Sequence, residues 1–326
     1  MIRNTFFCFC FVAVIAGCTT RGSIPPSWST GVAESYPSSR YLTAVGEASS
    51  REQAEQRAFA ALARVFEVEV QEQSTDYSLF RQATDQVSDS INRQVNTRQL
   101  ITGTAQVIEG AVPVEYWRKN QQHLVLVALE RSGADQRLRQ KIELLDQQTE
   151  ALSRYADNAQ LNAVVQISAL QQAYQLQRQR APLNRNLSVV SGSQLTPSIS
   201  IAILKQRIRD RLAGLRFNLS AVPDLQPALE QAIGQIGARV SAEGSLYLNA
   251  QMDREPVVWQ QGWYWLRGSM QLGLSNSNGE VIAQQRWPVK VSAQDSGMVE
   301  QRLRDLITAT VADKLIQLLS SAQIGE

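Results

Sequence analysis

The position of the cysteines constrains this chain more than any other feature. All three, Cys8, Cys10 and Cys18, lie close to the start of the 326-residue chain. No disulfide can therefore cross-link the body that follows, which must be stabilised by hydrophobic cores alone. A chain of this length has enough residues for two modest domains. Its formal net charge of +2 argues against a nucleic-acid binder, which normally carries a strongly basic patch.

The N-terminal segment has the pattern of a secretory signal. Arg3 is the only charged residue before an apolar run from Phe6 to Ala16. At about 1.5 Å per residue this run covers only about half of a bilayer's hydrocarbon core, so it is too short for a transmembrane helix. Small residues follow it, as at a cleavage site, and we expect residues 1–17 to be removed as a signal peptide.

The end of this segment carries a more specific motif. Ile15, Ala16, Gly17 and Cys18 resemble the lipobox of bacterial lipoproteins. The resemblance implies cleavage between Gly17 and Cys18, transfer of a diacylglycerol to the Cys18 sulfur and acylation of the freed amine. Two or three acyl chains, at about 0.8 kcal/mol per buried methylene, anchor a protein stably where one chain does not. The alternative is an ordinary signal peptide with an incidental cysteine.

The residue after the lipobox bears on location. An aspartate there commonly retains a lipoprotein in the inner membrane, whereas this chain has Thr19. We therefore expect the periplasmic face of the outer membrane, with the inner membrane or surface exposure as alternatives. The following residues are rich in Ser, Pro and Gly, and we interpret residues 18–40 as a lipidated tether.

Residues 41–131 show the element order of an α+β module. Tyr41 to Gly46 is a β-prone run, and the serines and the Glu and Gln of residues 49–53 form a doubled capping-box signal for a helix start. Small alanines on one face of that helix would let it lie close to a sheet. Apolar–polar alternation then predicts a strand at residues 66–71. Further periodicity predicts a helix at 80–95 and strands at 102–117 and 121–130.

Four features of this region together resemble a known family. They are Pro25-Pro26-Ser27-Trp28, the run from Tyr41 to Gly46, the alanine-spaced helix, and the hydrophobic strand from His123 to Leu129. They look like the Lpp-twenty-type domain of small outer-membrane lipoproteins, which is related to domains of flagellar outer-membrane assembly proteins. The resemblance covers about residues 25–131. It implies a non-enzymatic role in the envelope and carries over no catalytic residues.

The remainder of the chain extends beyond the short members of that family. Helical spacing with a turn at Asp157-Asn158 predicts a helical hairpin over residues 132–181, and an oligomerising coiled coil is the alternative. Pro182 to Pro197 lacks an apolar period and predicts a linker. Residues 198–326 predict a second α+β module, in which 257–275 is one long strand and Asn278-Gly279 is a tight hairpin turn.

The predicted fold class is therefore α+β. Two modules, each with helices packed on an antiparallel sheet, are joined by a helical hairpin after a lipoprotein signal peptide.

The composition offers little for catalysis. His123 is the only histidine, and no cysteine follows Cys18. Zinc sites and serine–histidine or cysteine–histidine nucleophiles therefore lack their ligands or bases. The chain also has no glycine-rich phosphate-binding loop. We expect no enzymatic activity, no cofactor and no metal site.

An aromatic cluster is the main candidate for binding. Trp259, Trp263, Tyr264, Trp265 and Trp287 fall on two adjacent predicted strands. In a regular strand Trp263 and Trp265 share one face, and Tyr264 takes the other. The cluster is either core packing or an open surface for a glycan strand or a protein.

These patterns predict an outer-membrane-anchored periplasmic lipoprotein with a structural or assembly role in the cell envelope. A flagellar association is implied by the family resemblance alone. The alternative is a regulator or activator of peptidoglycan synthesis that binds a synthase or a glycan through the aromatic cluster. The expected partners are the outer membrane, through the lipid, and envelope proteins or peptidoglycan, but not nucleic acid.

The anchor is directly testable. We expect the N-terminal peptide of the natural protein to begin at Cys18 and to carry acyl chains, which mass spectrometry detects. A Cys18→Ser variant lacks the acceptor sulfur and should leave the membrane fraction, whereas Thr19→Ser should remain there. A bare thiol or an uncut leader at the natural N-terminus would contradict the prediction.

Overall fold

The computed structural model of the chain describes residues 25–31, 33–81 and 109–322. In that part, six α-helices and two sheets form a mixed α+β fold, which confirms the predicted fold class. The leader, the lipobox and most of the helix predicted at 80–95 lie outside the described residues. Within them, no helix combines the length and apolar character needed to span a membrane.

The first module is a three-stranded antiparallel sheet covered by a long helix. Its elements are β1 (Tyr41–Ala48), α1 (Arg51–Arg81), β2 (Val112–Lys119) and β3 (Gln122–Glu130). The strand order β1-β3-β2 places β3 in the centre, where Val125 to Leu129 are buried. Val125, Val127 and Leu129 enter the core formed with α1, while Leu126 and Ala128, which point to the other face, are also buried. Burial on both faces accounts for this unbroken apolar run.

Helix α1 begins where the capping pattern predicts. The Gln53 backbone N–H donates to the Ser50 hydroxyl at 3.3 Å. The buried face of α1 then repeats every four residues through Ala54, Ala58, Leu62 and Phe66, each at most 2% exposed. This spacing is that of one helical face, and the face packs on β1 and β3.

Helix α1 touches the backbone of β1 at Gly46. A Cβ placed on Gly46 would lie 2.1 Å from the Ala54 carbonyl oxygen and 2.3 Å from the Ala58 nitrogen. Such distances are far below van der Waals contact, so only glycine in the strand allows the helix this close. The structure thus confirms that the small alanines lie close to the sheet.

The strand predicted at residues 66–71 is wrong, because α1 continues through them to Arg81. Phe66 is 2% exposed and continues the four-residue spacing of the helix. The apolar–polar alternation after Phe66 suggested a strand, but the preceding residues already form the buried face of a helix that continues through this segment. The Glu and Gln residues between the valines are good helix formers, which favours the helix.

The residues before β1 differ from the predicted tether. A short 3-10 helix (Ser27–Thr30) contacts β3, and Trp28 within it is 4% exposed. The guanidinium of Arg131 donates to the Ser38 carbonyl at 2.8 Å. Packing against the first module therefore includes Trp28, well before residue 40, because burial of its ring draws this segment onto the sheet.

Two helices form the predicted hairpin between the modules. They are α2 (Arg131–Ala156) and α3 (Ala163–Ser191), and they pack along their length. A polar network joins them: Arg180, 3% exposed, donates through Nε to both carboxylate oxygens of Asp146 at 2.8 and 2.9 Å. Gln177 donates to Asp146 Oδ1 at 2.8 Å and to Thr149 Oγ1 at 3.0 Å. These satisfied polar groups favour one register of the two helices.

The linker predicted at 182–197 is wrong over its first half. Helix α3 continues through Pro182 and ends at Ser191, and the next residue, Gly192, has a φ of 69°. Interior proline costs a helix about 3 kcal/mol, but Leu187 and Val190 beyond it are fully buried in the first module. Their burial, at about 1.5–3 kcal/mol per large side chain, outweighs that cost. The residues that follow return along the hairpin, where Leu195 N donates to Asn184 Oδ1 at 2.8 Å.

The second module is a sheet flanked by helices. Its elements are α4 (Ile201–Gly214), β4 (Arg216–Ala221), α5 (Gln226–Gln235), β5 (Arg239–Val240), β6 (Leu246–Arg254), β7 (Val258–Gln260), β8 (Trp263–Asn276), β9 (Val281–Ala293) and α6 (Ser296–Ser320). The strand path is β5-β4-β6-β8-β7, and β9 pairs with β8.

We expected the sheet of the second module to be antiparallel, but it is mixed. Strand β4 runs parallel to both β5 and β6. The chain leaves β4, crosses over through α5 and returns in the same direction, which is the connection that parallel neighbours require. The strands from β6 to β9 are antiparallel, and the predicted hairpin at Asn278-Gly279 joins β8 to β9. Its loop is longer than the expected two-residue turn, and of the pair only Gly279 has a positive φ, of 80°.

The single strand predicted at 257–275 is in fact two. Strands β7 and β8 are joined at Gln261 and Gly262, whose φ angles are 54° and 82°. Two consecutive residues with positive φ make the tight primed turn that suits a two-residue hairpin. Glycine adopts positive φ readily, whereas glutamine rarely does. Of the two turn residues, only Gly262 therefore indicated a turn in the sequence.

Helix α3 contributes side chains to every hydrophobic core in the described part of the chain. Its first turns enter the core of the second module, its middle packs with α4, and its last turns enter the core of the first module. The buried residues are Val164 and Ile167, then Ala169, Leu170 and Ala173, then Leu183, Leu187 and Val190. Its 29 residues measure about 43 Å at about 1.5 Å each. Both modules are therefore packed on one helix.

The contact at Gly46 predicts a stability effect. Gly46→Ala forces a methyl group into the backbone of α1, and we expect it to lower the free energy of unfolding by about 1–3 kcal/mol. Denaturant unfolding followed by circular dichroism measures this change. Gly234→Ala is the matched control, because a Cβ there meets nothing within 4 Å. Equal stability of the two variants would contradict the close contact.

Candidate functional site: the aromatic hairpin

The structure divides the aromatic cluster into a core part and an exposed part. Trp287 pairs with Met270 across β8 and β9, and Met270 is 3% exposed. Trp287 is half-buried on this core-facing side, and the ammonium of Lys314 on α6 lies 5.3 Å from the centroid of its ring. Trp287 therefore belongs to the packing between the sheet and α6.

Tyr264 connects the core to an exposed ring. It is half-buried, packs against the core of the second module, and pairs across the hairpin with Trp259. The two ring centroids are 4.6 Å apart with an interplanar angle of 56°. Trp259 remains 56% exposed, so it covers the outer side of Tyr264 and presents most of its own ring to solvent.

Trp263 and Trp265 lie on the opposite face of the sheet. Tyr264 pairs with the buried Ala293 on the core side, so its two neighbours on β8 point away from the core. This confirms the predicted division of faces. Trp263 is exposed, whereas Trp265 is half-buried with the ammonium of Lys290 4.5 Å from the centroid of its ring. That contact is a cation–π interaction.

The exposed apolar side chains concentrate on one structural unit, which we call the aromatic hairpin and define as residues 257–265. Val257, Val258, Trp259 and Trp263 are 41%, 55%, 56% and 36% exposed. Val258 shares the face of Trp265, its cross-strand partner, while Trp259 shares the face of Tyr264. Exposed apolar residues grouped in this way, on both faces of one hairpin, mark an interaction site more often than isolated exposed residues do.

Basic residues lie behind the hairpin on the Trp263 face. Arg267 of β8 pairs directly with Lys290 of β9. Neither forms an ion pair among the residues that the structure describes. The nearby Arg254, in contrast, is bound to Asp224 at 2.7 Å and to Glu300 at 3.2 Å. Glu255 adjoins Arg267, to whose carbonyl its backbone N–H donates at 2.9 Å.

A second concave region is a polar cleft where the N-terminal segment meets α2 and the end of α3. Arg131 donates there to the Val189 and Val190 carbonyls at 3.0 and 2.6 Å. Arg139 donates to Asp135 at 2.8 Å, and this hydrogen bond holds the pKa of the Asp135 carboxyl below its usual value. These side chains form hydrogen bonds within the protein, so the cleft is a place where structural elements contact each other.

The described residues offer no metal-binding cluster of three or more His, Cys, Asp or Glu side chains. Cys18 and Gly17, the predicted lipidation and cleavage residues, lie outside them. The aromatic hairpin is thus the candidate site that the geometry brings out. Sequence reasoning named its tryptophans but missed Val257, Val258 and the tight turn, because one continuous strand was expected there.

Comparison with known proteins identifies the first module. Residues 26–130 match the LPP20 lipoprotein family and form a domain of that family. The match confirms the resemblance drawn from the residues, and it begins before Trp28, which agrees with the burial of that side chain. The α2–α3 hairpin and the second module lie outside the match. No curated protein matches the chain in sequence.

Three solved structures to which the chain is similar have low sequence identity and low TM-scores. The secreted protein HP1454 from Helicobacter pylori has 14% identity and a TM-score of 0.43, over 83% of this chain and 97% of that one. A minor lipoprotein from Acinetobacter baumannii has 15% identity and a TM-score of 0.27, over 32% of this chain and 90% of that one. The rare lipoprotein B from Shewanella oneidensis has 11% identity and a TM-score of 0.23, over 32% and 94%. None is similar enough to transfer a function.

The two parts of the aromatic cluster should differ in their effect on stability. Trp287→Ala removes a ring packed between the sheet and α6, and we expect a loss of about 2 kcal/mol in the free energy of unfolding. Trp259→Ala removes a mainly exposed ring and should cost less than about 1 kcal/mol. Denaturant unfolding of both variants measures the difference, and equal losses would show that Trp259 is part of the core.

Proposed function

We propose that this protein is a structural or assembly lipoprotein of the bacterial cell envelope, anchored to the periplasmic face of the outer membrane through lipid on Cys18. The LPP20 lipoprotein domain at residues 26–130 supports the lipoprotein assignment. The lipobox residues Gly17 and Cys18 supply the site for cleavage and lipidation. The family resemblance supports a non-enzymatic role, and its flagellar connection is the most specific extension of the proposal.

The observation that carries this function is the shared helix α3. Its side chains enter the cores of both modules, and its length is about 43 Å. The two modules are therefore held at a fixed separation instead of being joined by a flexible linker. A body of this kind suits a spacer or scaffold, because a partner bound to one module is positioned relative to whatever binds the other.

The short connection to the membrane adds to the proposal. The described residues begin at Pro25, only seven residue steps after Cys18. A fully extended chain spans at most about 3.6 Å per residue, which gives a reach of about 25 Å. The lipid would thus hold the first module close to the bilayer and raise its effective concentration for weak partners at that surface.

Affinity isolation from the native envelope tests the proposal. The acylated protein should recover structural or assembly proteins of the envelope. The Cys18→Ser control, which lacks the anchor, should not. Direct recovery of a peptidoglycan synthase would instead support the regulatory alternative. Enzymatic turnover of an envelope substrate by the purified protein would contradict a purely structural role.

A further inference from the structure

The aromatic hairpin has a shape and a charge distribution that suit a lipid surface. We propose that it is a second membrane contact, which inserts Trp259 and Trp263 into the headgroup region of a phospholipid bilayer. The proposal rests on the proposed function insofar as that function places the body beside a membrane. It adds a protein-mediated contact to the lipid on Cys18.

The first argument is that exposed apolar side chains lie on both faces of the hairpin, next to a turn formed by Gln261 and Gly262. Trp259 lies on the face of Tyr264, while Val258 and Trp263 lie on the opposite face. A flat partner covers one face of a hairpin and leaves the other in water. A bilayer interface surrounds an inserted tip, so it buries both faces at once. Tryptophan is also the side chain most enriched at that interface, because its ring is apolar and its N–H can remain hydrogen-bonded.

The second argument is the position of the basic residues. At about 3.3 Å per residue along a strand, Arg267 lies about 13 Å behind Trp263 on the same face. Its cross-strand neighbour is Lys290, so two cations lie side by side at that level. Phosphate groups of anionic lipids occupy the level just outside an inserted aromatic ring and attract such cations. Glu255 beside Arg267 offsets part of this charge, and a net positive charge of one remains.

The third argument is the anchor. Pro25 lies at most about 25 Å along the chain from the lipidated residue, so the first module is held near a bilayer. The second module is packed with the first on α3 and is therefore held at the same membrane. Its exposed apolar hairpin would lower its free energy by leaving water at that surface.

A glycan strand fits the same hairpin less well. Sugar rings that stack along a chain need two exposed aromatic rings on one face. The two most exposed rings here, Trp259 and Trp263, lie on opposite faces. Trp265, which shares the face of Trp263, is half-buried beneath the ammonium of Lys290.

The chain offers a matched pair of sites for the experiment. Strand β8 has an exposed turn at each end, at Gln261 and at Asn278, and no cysteine follows Cys18. Gln261→Cys and Asn278→Cys therefore each introduce a single reactive thiol in the acylated protein. Each variant is labelled with an environment-sensitive fluorophore and reconstituted into vesicles of phosphatidylethanolamine and phosphatidylglycerol.

The lipid proposal predicts a difference between the two labels. The Gln261→Cys label should brighten several-fold on reconstitution and become protected from aqueous iodide, while the Asn278→Cys label should not change. Adding Trp259→Ala and Trp263→Ala to the Gln261→Cys protein should abolish the brightening. The triple variant should still float with the vesicles, because its acyl chains are intact.

Other outcomes would overturn the proposal in distinguishable ways. A protein that floats with the vesicles while its Gln261→Cys label stays quenchable has the lipid anchor but no hairpin insertion. A protein that does not float lacks both contacts and would overturn the proposed function as well. Brightening that requires added peptidoglycan or an envelope extract would assign the hairpin to a glycan or a protein instead of to lipid.

Discussion

The burial of α3 in both modules is the contact on which the rest of the structure depends. No cysteine follows Cys18, so the body has no covalent cross-link, and its integrity rests on apolar side chains alone. Helix α3 carries Ile167 into one core and Leu187 into the other, and both are fully buried. The ion pair between Arg180 and Asp146 then fixes the register of α3 against α2. Because this ion pair is largely buried, it defines one arrangement of the helices more than it adds to their stability.

Burial against neighbouring elements also explains why some tryptophans of the second module are packed and others are exposed. The tryptophans near β8 are close in sequence, but strand pairing assigns them to different environments. Trp287 lies opposite the buried Met270 and under α6, whereas Trp259 lies at the end of a hairpin that extends beyond the core. A strand buries a side chain only where a helix or another sheet covers that face. The boundary between packed and exposed aromatic rings therefore follows the extent of the covering helices, not the identity of the aromatic residues.

Much of the fold could be predicted from local patterns, and the errors have a common cause. The capping signal at Ser50, the alanine face of α1, the α2–α3 hairpin and the Asn278-Gly279 turn all depend on residues within a few positions of each other. The predictions failed where distant contacts outweigh a local signal. Pro182 is tolerated within α3 because side chains beyond it are buried in the first module, and Phe66 stays helical because it packs on the sheet. Likewise, the direction of β4 depends on a crossover connection, which no local period reveals.

The sequence by itself determined the absence of disulfides in the body, the α+β class, the family of the first module and the opposite faces of Trp263 and Tyr264. The first follows from composition, the family from the resemblance of its motifs, and the class and the faces from short periods that the backbone geometry imposes. Only the tertiary structure decided that both modules share one helix, that the N-terminal segment packs on the first sheet through Trp28, and that Trp259 is exposed while Trp287 is packed. Burial is a property of surfaces brought together from distant parts of the chain, so it cannot be inferred from a residue and its neighbours in sequence.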